Sequence, residues 1–145
     1  MMTIIFKKVN NSRFSELIYE INNDPLTRKY SVNSKSFSFK KHKAWLKKTL
    51  KSKSKKIYLV IENKNVVGLI RLKVERNKNY LSWAVKKRFR GKNIGKKMLK
   101  GYVQKNKKVF FAKIKKNNIR SIKVCEYAGF KKFKENLKFK YFMKN

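Results

Sequence analysis

The chain has 145 residues, of which 42 are lysine or arginine and seven are aspartate or glutamate, for a net charge of +35. That length predicts one domain, large enough to bury about two-thirds of its unfolded surface. No apolar run approaches the ~18 residues of a membrane helix, residues 1–7 lack a secretory leader's basic and apolar segments, and a lone cysteine excludes an internal disulfide, so a soluble cytoplasmic protein is expected.

In chain order, Ile4 to Val9 reads as a strand. Ser12 then caps a helix that carries Phe14, Leu17, Ile18 and Ile21 on one face. The stretch from Asn22 to Ser38, with the only proline, Pro25, is polar and reads as irregular, and Ser38 caps a second helix bearing Trp45, Leu46 and Leu50. Ile57 to Ile61 and Val66 to Leu72, joined by Asn63-Lys64-Asn65, form a hairpin that Tyr80 to Val85 extends as an antiparallel meander. A helix opening near Ile94, a strand from Val109, a helix opening at Asn118 and two last strands (Phe130 to Lys134, Lys138 to Phe142) complete the order β-α-α-β-β-β-α-β-α-β-β.

The segment Arg90-Gly91-Lys92-Asn93-Ile94-Gly95-Lys96-Lys97 follows the Tyr80 strand and opens the helix whose buried face is Met98, Leu99, Tyr102 and Val103. A strand, a basic glycine-punctuated loop and a helix N-terminus suit a pyrophosphate, because free backbone N–H groups and the helix dipole point at the anion. Gly91 and Gly95 are expected to let the backbone approach the phosphates. The loop is neither a Walker loop nor a dinucleotide fingerprint.

Further on stand Asn118, Ser121, Gly129 and Phe130. Together these motifs resemble the GNAT family of acetyl-CoA-dependent N-acetyltransferases, whose phosphate loop reads Arg/Gln-x-x-Gly-x-Gly/Ala and whose later segment reads Asn-x-x-Ser…Gly-Phe. Arg90 and Gly95 match, while Asn93 replaces the middle glycine, a mild departure since asparagine tolerates positive φ. The resemblance implies an α+β GNAT fold: a central, mixed, mostly antiparallel sheet of about seven strands with helices on both faces. It implies acetyl-CoA as cosubstrate, with its pantetheine between two splayed strands against the backbone of Trp83, Ala84 and Val85. It implies no metal. Arg90 to Lys96, Asn118 and Ser121 are the cosubstrate-binding candidates.

Transfer of acetyl to an amine needs a neutral amine, a stabilised carbonyl oxygen and a proton for the departing thiolate. Many family members place a tyrosine four residues before the Gly-Phe pair, and counting back from Gly129 lands on Cys125 rather than Tyr127. These two lie about 200° apart on a helix, so they do not exchange roles. Both stand as candidates for the acid, beside another tyrosine or water. Glu75, Glu62, or Ser82 relaying through water are the candidates for the base. The only histidine, His42, reads as structural in one view.

A narrower resemblance gives it a second role. Arg28 with Ser31-Val32-Asn33, Phe39 with His42 and Trp45, and Gly68-Leu69-Ile70-Arg71 are similar to a bacterial GNAT branch that acetylates the 4-amino group of UDP-linked amino sugars, as in pseudaminic acid synthesis. That likeness implies a nucleotide-sugar acceptor met by Arg28, His42 and Trp45. Related patterns occur in enzymes that acetylate ribosomal-protein N-termini, so a protein amine is the second reading. A basic module for RNA is the third, and it is disfavoured: seven of the 42 basic residues are arginine, the lysines run through every segment, and base reading favours arginine. The sequence leaves a homodimer open.

Overall fold

A computed structural model describes residues 4–145; of residues 1–7, on which the expectation about a secretory leader rests, the first three lie outside the described residues. The elements are β1 (Ile4–Lys8), α1 (Ser15–Asn22), α2 (Pro25–Tyr30), α3 (Phe39–Lys51), β2 (Lys55–Glu62), β3 (Asn65–Glu75), β4 (Lys78–Val85), α4 (Ile94–Lys105), β5 (Phe110–Lys115), α5 (Ile119–Tyr127), β6 (Lys131–Glu135) and β7 (Phe139–Lys144). They build the expected α+β architecture, one sheet of seven strands in the order β1-β2-β3-β4-β5-β7-β6. Every neighbouring pair is antiparallel except β4 with β5. No helix among the described residues is long and apolar enough to cross a membrane.

The β2–β3 and β3–β4 turns each have two residues in the left-handed region, Asn63-Lys64 and Arg76-Asn77, which matches the right-handed twist of the flanking strands. The one element the sequence pattern missed is α2, placed in the stretch expected to be irregular. Its six residues carry no apolar period, but its start is chemically marked. Asp24 caps it, accepting from the N–H groups of Leu26 and Thr27, and Pro25 occupies the first turn, where its missing N–H costs nothing.

Strand alternation sorts the sheet into two faces. Ile70, Leu72 and Leu81 pack with Met98, Leu99 and Tyr102 of α4 and Ile122 of α5. Leu59, Leu69 and Ala84 face the other way, against Ile18 and Ile21 of α1 and Leu46 of α3. Each buried leucine, isoleucine and methionine among these contributes roughly 1.5–3 kcal/mol of transfer free energy.

Gly68 sets how closely α4 approaches the sheet. A β-carbon there would stand 2.4 Å from the Ala84 carbonyl oxygen and 2.8 Å from Met98 Sδ. Gly68→Ala is therefore expected to cost about 1–3 kcal/mol in urea unfolding; a change below ~0.5 kcal/mol would show that α4 has slack to retreat.

Candidate active site

The site begins where a strand ladder stops. β4 pairs with β5 only at Asn79–Phe110 and Tyr80–Phe111, after which β4 runs on to Val85 and β5 to Lys115 without further pairing between them. The Lys86 N–H donates to the Val67 carbonyl on β3. Alternation back along β4 turns the amides of Ala84 and Ser82 the same way, and so leaves those of Leu81, Trp83 and Val85 facing the gap. A cleft of about 880 Å³ opens there, between Leu81–Val85 on one side and Lys113, Ile114 and the start of α5 on the other. Its ends are closed by α2 and by the loop before α4.

That loop has the shape of an anion cradle. Gly91 has φ +80° and Asn93 φ +58°, so the asparagine takes the conformation its position was expected to need. Asp24, Ser38 and Asn118 cap α2, α3 and α5 with their side chains, whereas Asn93 supplies none to α4. The first-turn amides of Ile94, Gly95 and Lys96 thus remain for a ligand, with the helix dipole behind them. Two expectations change. A β-carbon on Gly95 would meet Val124 at 3.2 Å and Val85 at 3.5 Å, so this glycine makes room for α5 and β4 rather than for phosphate. Lys92 is exposed and outside the lining, unlike Arg90, Gly91, Asn93, Ile94, Gly95 and Lys96. Asn118 and Ser121 also line the cleft; the Asn118 side chain accepts from the Ser121 N–H and starts α5.

Arg90 turns its side chain away from the loop it begins. Nη2 donates to Asp24 Oδ2 at 2.8 Å and to Thr27 Oγ1 at 3.3 Å, tying α2 to the phosphate loop. Burial alone would raise the Asp24 carboxyl, but the Arg90 hydrogen bond and the amides of Thr27 and Leu26 outweigh it and hold its pKa below the ordinary value. Arg28 lines the cleft as expected. Its donors are largely committed: Nε to the Asn22 carbonyl at 2.8 Å, Nη1 to the Asn33 carbonyl at 3.0 Å, Nη2 to Ser31 Oγ at 2.9 Å. Its guanidinium also covers Phe37, 4.9 Å from the ring centre.

Arg71 belongs to the Gly68-Leu69-Ile70-Arg71 motif of the narrower resemblance, but its side chain was not among the expected site residues. It lies on β3 directly opposite Ser82, and its Nε donates to Ser82 Oγ at 3.2 Å. Both side chains line the cleft. Burial, and then the nearby charge of Arg28, pushes its pKa down to about 10. Among the described residues no aspartate or glutamate lines the cleft, while Arg28, Arg71, Arg90, Lys96, Lys113, Arg120 and Lys123 do.

The family description "Acetyltransferase (GNAT) domain" matches residues 3–131. The chain belongs to the GNAT acetyltransferase family. It is an acetyl-CoA-dependent N-acetyltransferase. No curated protein sequence matches it. Several solved structures share its fold. The Campylobacter jejuni N-acetyltransferase PseH, in complex with acetyl coenzyme A, is 21% identical over 97% of each chain with a TM-score of 0.74. The spermidine N-acetyltransferase of Vibrio cholerae, in complex with CoA and spermine, is 14% identical over 98% of this chain and 94% of its own, with a TM-score of 0.81. A domain from Methanocaldococcus jannaschii is 21% identical over 100% and 99%, with a TM-score of 0.78.

Within this GNAT enzyme several candidate residues sit apart from the cleft. Cys125 is fully buried in the core, donates its thiol to the Ile122 carbonyl at 3.3 Å, and is pushed up to about 12 by burial. It packs, and it lines no part of the cleft. Tyr127 is half exposed on the outer face of α5, beneath the ammonium groups of Lys96 and Lys100, and also outside the lining. Glu75 pairs with exposed Lys73 and stands opposite Lys78, at the end of β4 remote from the gap. Glu62 closes the far end of β2 opposite Asn65. Of the base candidates only Ser82 lines the cleft.

His42 and Trp45 belong to the stripe by which α3 docks. His42 is fully buried between the rings of Phe37 and Phe39, and its Nε2–H donates to the Ser15 carbonyl at 2.9 Å. Trp45 packs on the core beneath α1, and neither residue lines the cleft. Among the described residues no group of three or more His, Cys, Asp or Glu is placed to hold a metal ion.

Two outcomes follow from this placement. The Cys125 thiol should resist a disulfide reagent at pH ~8 until the protein is unfolded, and Cys125→Ala should keep kcat within about twofold. Reaction at the rate of a free thiol would overturn the packing role. Burial holds the pKa of His42 below its ordinary 6.5, against the opposing pull of the Ser15 carbonyl. As pH falls through that value the unfolded chain takes up the proton first, so the stability from neutral His42 is full above it and is lost towards acid. Since His42 is the only histidine, His42→Gln should flatten the decline in stability between pH ~7 and ~5.

Proposed function

We propose that this enzyme acetylates the 4-amino group of a nucleotide-linked amino sugar. The observation that carries the reading is the charge of the cleft: basic side chains on both walls and no carboxylate among the described lining residues. Such a site attracts a diphosphate and repels a polycation, so a polyamine acceptor is disfavoured. The likeness to the PseH fold agrees with this reading.

The arrangement fits acetyl-CoA, which supplies the acetyl group as an activated thioester. The uncapped amides of Ile94, Gly95 and Lys96 would hold its pyrophosphate, and the free N–H groups of Trp83 and Val85 would meet its amides and carbonyl. Among the described residues no carboxylate lines the cleft to act as base on the acceptor amine. Its proton then leaves to solvent along the open side of the cleft. Because acetyl-CoA and nucleotide sugars are made inside cells, this reading carries a cytoplasmic location with it.

A CoA-release assay across UDP-4-amino sugars, spermidine and N-terminal peptides tests the proposal. The expected result is a kcat/KM for a UDP-4-amino sugar at least about 100-fold above that for spermidine. A preference for spermidine or for a peptide would overturn it.

A further inference from the structure

Three arginines in the cleft are half-buried, and they differ in what their nitrogens hold. Arg90 is paired with Asp24, and Arg28 spends its donors on the carbonyls of Asn22 and Asn33 and on Ser31. Arg71 has only its Nε engaged, by Ser82, and its two terminal nitrogens have no hydrogen-bond partner among the described residues. We propose that Arg71 is the specificity-determining residue of the acceptor site, binding the acceptor's diphosphate through these two nitrogens. The inference rests on the nucleotide-sugar reading and names the group that reads it.

Three features support the assignment. Arg71 lies close enough to Arg28 for the second charge to disfavour its own, and among the described residues no carboxylate lines the cleft to compensate the pair. A half-buried like-charge pair without a carboxylate counter-ion is completed by an anion that the ligand brings. A guanidinium with both terminal nitrogens free presents the fork that meets phosphate oxygens two at a time.

The second feature is position. Arg71 and Ser82 pair across β3 and β4, so their side chains leave the sheet on the face that also carries Leu69 and Ala84 and is covered by α1 and α3. Trp83 and Val85 leave on the α4 face. Arg71 is thus on the opposite side of β4 from the helix whose N-terminus suits the acetyl donor, yet beside the backbone that lines the gap.

The third is its neighbourhood. Lys113 on β5 lines the same cleft, and Lys115, two residues on and therefore on the same face, donates its ammonium to the Lys29 carbonyl of α2 at 2.9 Å. This wall is held in place by contacts between α2 and β5 that do not use Arg71.

Calorimetry with UDP as the probe, on protein saturated with CoA, tests the inference alongside steady-state assays with a UDP-4-amino sugar. R71M should weaken UDP binding and raise the sugar KM by about tenfold or more, with kcat and the CoA dissociation constant within about threefold. R71K should recover part of the loss, since it restores the charge without the fork. R13M, which removes an exposed arginine outside the cleft, should leave UDP binding within about twofold and so measures the general effect of charge. If the wild type acetylates the sugar while R71M shows an unchanged KM, or R13M weakens UDP equally, this inference falls and the nucleotide-sugar reading stands. If the wild type neither binds UDP nor acetylates the sugar, both fall.

Discussion

Two residue pairs hold β4 to β5, and the cleft exists because the ladder stops after them. A central strand normally has its backbone groups satisfied on both sides, and leaving them open carries a cost that a bound ligand can offset. Here β4 keeps its β3 partner along its whole length, so the strand stays straight and placed while its other edge is free. The opposite wall is equally well supported. β5 pairs with β7 over its full length, from Phe110–Lys144 to Lys115–Phe139. The gap is therefore a rigid feature of two well-made half-sheets rather than a frayed edge.

Close packing aims the remaining parts at that gap. Gly68 lets α4 lie against β3 and β4, and Gly95 lets α5 lie against the first turn of α4. With a side chain at either position the uncapped end of α4 would be displaced from the mouth of the cleft. Arg90 then joins two ends of the cleft, since its ion pair with Asp24 fixes the start of α2 to the start of the loop before α4. That pair is mostly buried and its carboxylate also caps a helix, so it is better placed than an exposed lysine–glutamate contact to hold geometry.

The overall charge and the charge of the cleft are separate matters. Lysines distributed over the whole surface surround themselves with water and salt, and their fields are screened within about 10 Å at ordinary ionic strength. Arg28 and Arg71 are half-buried and near each other, and among the described residues no carboxylate lines their cleft, so their field acts on whatever enters. The proposed acceptor rests on this local imbalance and not on the formal total.

Local chemistry made much of the molecule legible. The hairpin turns, the helix caps at Ser38 and Asn118 and the left-handed Asn93 each depend on neighbours a few residues away, and those neighbours are written in order along the chain. The cap of α2 was written there too, in Asp24-Pro25, but six residues without an apolar period hid it. Burial and direction were decided only by the fold. His42 and Trp45 share the docking stripe of α3 with Leu46 and Thr49, and so face the core instead of an acceptor. Cys125 stands at the family's tyrosine position, yet the packing of α5 on α4 turns its thiol into the core. Arg71 becomes a site residue only through its register with Ser82 and the approach of Arg28 from 43 positions away. Sequence by itself determined the elements and the family because those follow from spacing along one strand or helix; which side chains meet in the cleft depended on contacts between elements, which no local spacing encodes.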